Sequence, residues 1–399
     1  MGESGRIHLQ RRGSLVRSTL TKTPDIGGTT KTTANMEQKH LFPYRWNLAD
    51  AVFTKDKGKV FSCFACGGGS TMGYKLAGFD VIGCNEIDPR MNKVYVENHH
   101  PRFNFLEAIQ TFKLRKDLPK ELYNLDILDG SPPCSSFSTA GSRDDDWGKE
   151  KKFREGQAKQ VLDTLFFDFI DLAKELQPKI VVAENVKGLL LGEAFQYVRR
   201  IYEAFDDAGY VVCHTLCDAS LMGVPQRRER VFFTAIRKDL LQYIPQKDTL
   251  FYTEPVVDFT FKEEPILFRE FYQPGVDDRP CSQGQMKEYW EKRQPQDEDF
   301  CDTCIREYGK EKCFTNKYLK ADQVSNTLTA NSDVLYLYDE YRKPNQSEVC
   351  CISSFPQDYK FLSEPYYYIC GMSVPPVMMA QVATRIYEQW LKPIQKATL

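Results

Sequence analysis

From about residue 59 to residue 239, short apolar runs alternate with stretches of helical spacing. Val60–Phe64, Val81–Cys84, Leu125–Leu128, Ile180–Ala183 and Val231–Ile236 are nearly continuous apolar runs of strand length. Such runs mark strands buried on both faces, because a half-exposed strand would alternate polar with apolar. Val161, Leu162, Leu165, Phe166, Phe169, Leu172, Ala173 and Leu176 instead recur at i, i+3 and i+4, which predicts a helix. Asp88-Pro89 supplies an N-cap followed by proline in the first turn, and Gly78 supplies a helix stop. Strands that alternate with helices predict an α/β fold: a mostly parallel sheet covered on both faces.

The alternation stops near residue 240. Residues 240–325 are rich in Pro, Gln and charge, as in Gln294-Pro295-Gln296-Asp297-Glu298-Asp299, and read as a smaller irregular module. Apolar periodicity returns at 326–399 and ends in a helix over Val377–Leu391. Residues 1–40 are rich in Thr, Ser, Gly and Arg and bury too little apolar surface to order themselves, so they read as a disordered extension or a tag. The expected organisation is therefore 1–40, a catalytic body at 41–239, an inserted module at 240–325, and a return to the body at 326–399.

Composition narrows the classes. With 42% hydrophobic and 27% charged residues, the chain can build a real core. No apolar run approaches the roughly 18 residues of a membrane helix. A net charge of -2 argues against a uniformly basic nucleic-acid coat but leaves room for a basic groove. Thirteen cysteines scatter through apolar runs and read as reduced, intracellular thiols. Cys301-x2-Cys304 with Cys313 and Cys281 has an unusual spacing for zinc, so no metal site is assigned.

Five segments carry candidate chemistry. Ser62–Ser70, with Gly67, Gly68 and Gly69, follows the first strand and precedes a helix, where small residues let a backbone approach a ligand. Glu86 ends the second strand about 20 residues later, which suits an acid that holds the ribose of a nucleotide-like cofactor. Asp129-Gly130-Ser131-Pro132-Pro133-Cys134 sets a thiol on a proline-stiffened turn at the carboxyl edge of the sheet, as a nucleophile requires. Ile180–Ala183 runs into Glu184-Asn185-Val186 and aims a carboxyl group, a candidate proton donor, at the same edge. Gln226-Arg227-Arg228-Glu229-Arg230 brings guanidinium forks to the start of the last strand.

In this order, the Gly-rich turn, Pro-Pro-Cys, Glu-Asn-Val and Gln-Arg-Arg-Glu-Arg strongly resemble the C5-cytosine DNA methyltransferases of bacteria and phages, over roughly 59–239 and 325–391. The resemblance implies a Rossmann-like methyltransferase fold with 240–325 as the target-recognition domain. S-adenosylmethionine would be the cofactor and double-stranded DNA the partner. It also implies a cytoplasmic monomer of a bacterial or phage-infected cell, and admits a cognate restriction endonuclease. Cys134, Glu184, Arg228 and Arg230 would be catalytic. Phe64, Ala65, Gly67, Gly68, Gly69, Glu86, Ile87, Pro132, Leu165, Ser373 and Val374 would line the cofactor. Pro133, Ser135, Asn185 and Gln226 would face the substrate. The chain departs from the family at Cys66, where a glycine is usual and a backbone with φ < 0 would tolerate the thiol. It departs again at Met372 in place of asparagine, and at Ser135 in place of glutamine. An RNA (tRNA) cytosine-5 methyltransferase on the same fold is the alternative reading.

Overall fold

The computed structural model describes residues 39–133, 150–151, 160–161, 164–191, 194–248, 253–279, 281–309, 315–330 and 334–398. Cys134, Ser135 and most of the loop after them lie outside the described residues. From His40 onward the chain forms one compact unit.

Its centre is a seven-stranded sheet: β1 Lys59–Cys63, β2 Asp80–Glu86, β3 Phe103–Leu106, β4 Ile127–Gly130, β5 Ile180–Val186, β6 Tyr210–Asp218 and β7 Glu229–Arg237. The order across the sheet is β3-β2-β1-β4-β5-β7-β6. Neighbours from β3 to β5 are parallel, whereas β7 runs antiparallel to both β5 and β6. The order reverses at β1, so the loops after β1 and β4 open a crevice at the carboxyl edge, where open α/β sheets bind ligands. Because β7 runs the other way, it brings its amino end, not its carboxyl end, to that same edge.

The five predicted strands are all present. Their boundaries differ most at β4, which is shifted by two residues at both ends, while β5 extends through Glu184-Asn185-Val186 and β7 reaches back to Glu229. β3 and β6 escaped the sequence reading because their faces are mixed: β3 alternates half-buried with exposed residues, and β6 carries Thr215 and an exposed Leu216.

Helices α1 Gly69–Leu76, α2 Pro89–His99, α3 Leu165–Leu176 and α4 Phe195–Asp207 connect the strands. The Asp88 carboxylate caps α2 by accepting from the amides of Arg90 (2.8 Å) and Met91 (3.5 Å). Gly78 ends the α1 turn at φ +95°. The helix expected from Val161 begins only at Leu165, because Val161 pairs as a short strand with Glu150. One sheet face packs Phe166, Phe169 and Leu172 of α3 and Val198 and Ile201 of α4. The other packs Tyr74 of α1 and Met379, Val382 and Ile386 of the C-terminal helix. That helix runs Pro376–Ile386, makes one π turn at Tyr387–Leu391 and continues over Lys392–Thr398.

Residues 240–325 hold more regular structure than their composition suggests, including short helices at Gln285–Glu291 and Phe300–Tyr308. Lys317–Leu319 pairs in parallel with Leu335–Leu337, across the boundary expected at 325. Leu240, Ile244, Val257 and Phe259 join the core beneath the C-terminal helix. Tyr289, Phe300, Cys304, Tyr318 and Tyr336 form a small core of their own. Among the described residues, no helix is long and apolar enough to cross a membrane.

Candidate active site

The Gly-rich turn after β1 is shaped as much by the end of the chain as by its own residues. Gly68 caps α1 at φ +77°, in the left-handed region. A Cβ on Gly69 would lie 2.2 Å from the Val374 carbonyl oxygen and 2.8 Å from the Ser373 Cβ, so only glycine allows this approach. The Gly67 carbonyl accepts a hydrogen bond from the Tyr359 hydroxyl. Ala65 is buried, and its carbonyl accepts from the Gly68 amide at 2.8 Å. Phe64 and Cys66 both sit at positive φ, +53° and +46°. The negative φ under which a thiol would be tolerated at position 66 is therefore not what the backbone adopts. The Cys66 thiol is pushed up to about 12, by burial first and by the neighbouring Glu86 carboxylate second.

Glu86 is buried and fully engaged. Its Oε2 accepts from the Cys66 amide at 2.7 Å, and its Oε1 accepts from the amides of Ile87 and Asp88 at 2.8 Å each. Burial raises its pKa while these three donors oppose the rise. The carboxylate thus ties the Gly-rich turn to the end of β2. Phe64 and Ile87 stay half-buried. Leu165 is fully buried in the α3 face.

At the other half of the edge, Glu184 and Arg230 form an ion pair, Nε to Oε1 at 2.8 Å, with side chains 10% and 16% exposed. The register explains it: Glu184 lies opposite Phe232 and Val186 opposite Arg230, so the two meet as a diagonal pair on one face. Burial pulls the Arg230 guanidinium down, and the Glu184 charge and hydrogen bond hold it up. Asn185 faces inward, and its Nδ2 donates to the Pro132 carbonyl at 3.1 Å. Pro132 is buried and Pro133 half-buried. The amide of Asn185 thereby braces the segment that leads to Cys134.

Three of the expected site residues are buried in hydrogen bonds to the chain itself. Arg228, expected to contact the base, is buried, and its guanidinium donates to the carbonyls of Leu328 (2.8 Å), Gly371 (3.1 Å) and Ser373 (3.1 Å). It is a clamp that holds the returning chain against the Gly-rich turn. Gln226, expected at the substrate, is fully buried between the Ile352 carbonyl and the Leu328 amide. Asn185, likewise expected at the substrate, is bonded through its side chain to the Pro132 carbonyl and the Val186 amide and so positions the loop. Ser373 and Val374 are buried against Arg228 and Gly69.

The sequence reading missed Asp129. This acid is buried in β4, where Ser62 Oγ donates to it at 2.7 Å and Tyr74 Oη at 3.3 Å. Its signal was present: an acid interrupts the strand Ile127–Gly130 just before the proline turn. Among the described residues, no cluster of three or more His, Cys, Asp or Glu side chains could hold a metal.

The crossover sheet and its edge crevice define an α/β architecture of the methyltransferase kind. Residues 58–388 match the model of the C-5 cytosine-specific DNA methylases, and the chain belongs to that family. Over 185 residues it is 37% identical to the type II methyltransferase M.FnuDI of Fusobacterium nucleatum, covering 46% of this chain and 48% of that protein. Over 186 residues it is 36% identical to M.NgoPII of Neisseria gonorrhoeae, covering 46% and 49%. The chain thus spans about half the length of the curated relatives it matches. In fold it is similar to a mutant of Spodoptera frugiperda DNMT2, with a TM-score of 0.55 and 18% identity over 84% of this chain and 99% of that one.

Proposed function

We propose that the protein transfers a methyl group from S-adenosylmethionine to C5 of cytosine in a specific sequence of double-stranded DNA. The observation that carries this reading is the Glu184–Arg230 pair, set at the sheet edge beside the Pro132–Pro133 segment that leads to Cys134. Cytosine C5 is a poor nucleophile, and attack of a Cys134 thiolate on C6 makes it enamine-like. Glu184, oriented by Arg230, engages N3 and stabilises that adduct. Loss of the C5 proton and β-elimination then free the thiol. The target atom is out of reach in a stacked duplex, so the base flips out.

The residues present fit the cofactor. Half-buried Phe64 and Ile87 offer apolar surface for the adenosine, the Glu86 carboxylate is held at the turn by the Cys66 amide, and the neutral Cys66 thiol adds no charge beside the cofactor's sulfonium. When bound, S-adenosylmethionine supplies the methyl group. Arg228 acts through the carbonyls of Gly371 and Ser373, which keep this pocket closed from behind. Residues 240–325 carry sequence choice.

Duplex DNA incubated with radiolabelled S-adenosylmethionine should gain label in 5-methylcytosine. Cys134→Ser should abolish transfer yet retain DNA binding, since a hydroxyl is far less ionised than a thiol. A 5-fluorocytosine in the target site should trap the wild-type chain covalently. Label that enters transfer RNA and not duplex DNA would overturn the substrate.

A further inference from the structure

The acid that the methyl-transfer reading leaves idle is Asp129. It sits in β4 one strand away from Glu184, with Asp129 opposite Val182 in the parallel register. Glu184 lies two residues beyond Val182, and side chains two apart share a sheet face. The two carboxyl groups therefore project from the same face of adjacent strands, at backbone positions about 8 Å apart once the two-residue stagger and the strand spacing are combined. On its other flank Asp129 is held by the Ser62 hydroxyl of β1 and the Tyr74 hydroxyl of α1. Around it stand Cys63 of β1, Tyr74 of α1, Tyr95 of α2 and, on β5, Glu184, which is itself paired with Arg230 of β7.

We propose that Asp129 is a positioning acid for the reaction at Glu184, acting through charge across the sheet face and not through contact with substrate. This rests on the methyltransferase reading above. An unpaired acid in a sheet interior weakens the fold, and hydroxyl donors alone do not neutralise it. Such a residue is expected where its charge serves chemistry. Burial, reinforced by Glu184 and opposed by Ser62 and Tyr74, brings the Asp129 carboxyl up to about 7. It thus changes charge in the range where the enzyme would work. Once ionised, Asp129 adds a negative charge to the face that carries the Glu184–Arg230 pair, and that charge favours a proton held at N3 of the base.

The test is the pH profile of kcat for wild type and Asp129→Asn on saturating duplex DNA. The wild-type profile should carry an inflection near neutrality that Asp129→Asn lacks. Above it the variant should be roughly tenfold slower with an unchanged KM, the equivalent of one unit of carboxyl proton affinity. Tyr74→Phe removes a donor to the anion and keeps the acid, so it should move the inflection to higher pH, even if Asp129→Asn folds poorly. The protonated Asp129 carbonyl band, read by infrared difference without substrate, should titrate at the pH of the inflection. A profile unchanged in shape in both variants, or a band that titrates well away from the inflection, overturns the inference. A wild-type chain with no methyl transfer to cytosine overturns the parent reading and this one with it. An active chain with an indifferent profile overturns this one alone.

Discussion

The two halves of the crevice are built on different principles. At β1 and β2 the chain meets the candidate cofactor pocket through backbone: glycine gives room, and Glu86 is filled by three amide donors. At β4, β5 and β7 it relies on charged side chains that face one another, Glu184 with Arg230 and Asp129 nearby. A backbone-built half tolerates little change in shape. A charge-built half tolerates shape and responds to pH. Arg228 and Arg230 fall on opposite sides of this divide although two residues apart: the first serves the backbone half as a clamp, the second the charged half.

The largest expected effect sharpens that divide. Arg228→Ala should strand three buried carbonyls and cost about 5 kcal/mol, read as a drop in denaturant midpoint or a loss of soluble protein. Arg230→Ala should cost much less stability and lower kcat at least about 100-fold, because its partner is Glu184. Equal stability losses in the two variants would erase the distinction.

Next is the pH dependence of stability. Burial holds the folded Asp129 carboxyl up at about 7, far above the ordinary aspartate range near 4. A raised folded pKa means that the stabilisation is complete below the unfolded value and is lost as pH rises through the folded one. Stability should therefore decline between about pH 4 and pH 7. Asp129→Asn should recover at pH 8 up to about 4 kcal/mol of what wild type has lost, by denaturant titration at pH 4 and pH 8. A difference that does not grow with pH would remove Asp129 from the charged half.

Gly69→Ala should cost about 3 kcal/mol, since the new Cβ meets a backbone carbonyl that cannot swing aside. The smallest expected effect is a gain. Cys66→Gly should stabilise by about 1 kcal/mol, because a glycine accepts φ +46° without strain. A loss would mean that the thiol packs better than its backbone suggests.

Sequence alone made the strands legible where both faces are buried, as in Val60–Cys63 and Ile180–Ala183, and the carboxyl-bearing strand end at Glu184. It could not assign Arg228 and Arg230. Both lie in one basic run, and which of them turns inward depends on carbonyls that arrive 100 to 145 residues later. The glycines were legible as a tight turn, but half of their reason, Ser373 and Val374, lies at the far end of the chain. Asp129 passed unnoticed because a motif draws attention to its cysteine.

The seating of Gly371–Val374 against the first turn also sets an order of events during synthesis. The Tyr359 hydroxyl reaches the Gly67 carbonyl across 292 residues, so the crevice cannot be closed from behind until all of those residues have been translated. At about 5–20 residues per second, the β1–α1 segment waits on the order of 15–60 s after leaving the ribosome before its cover arrives. Non-local contacts of this span slow folding, because loop closure precedes any reward from packing. In that interval the newborn chain has its first strands but not the cover that Gly371–Val374 lays over them, so the crevice is finished long after the strands that open it.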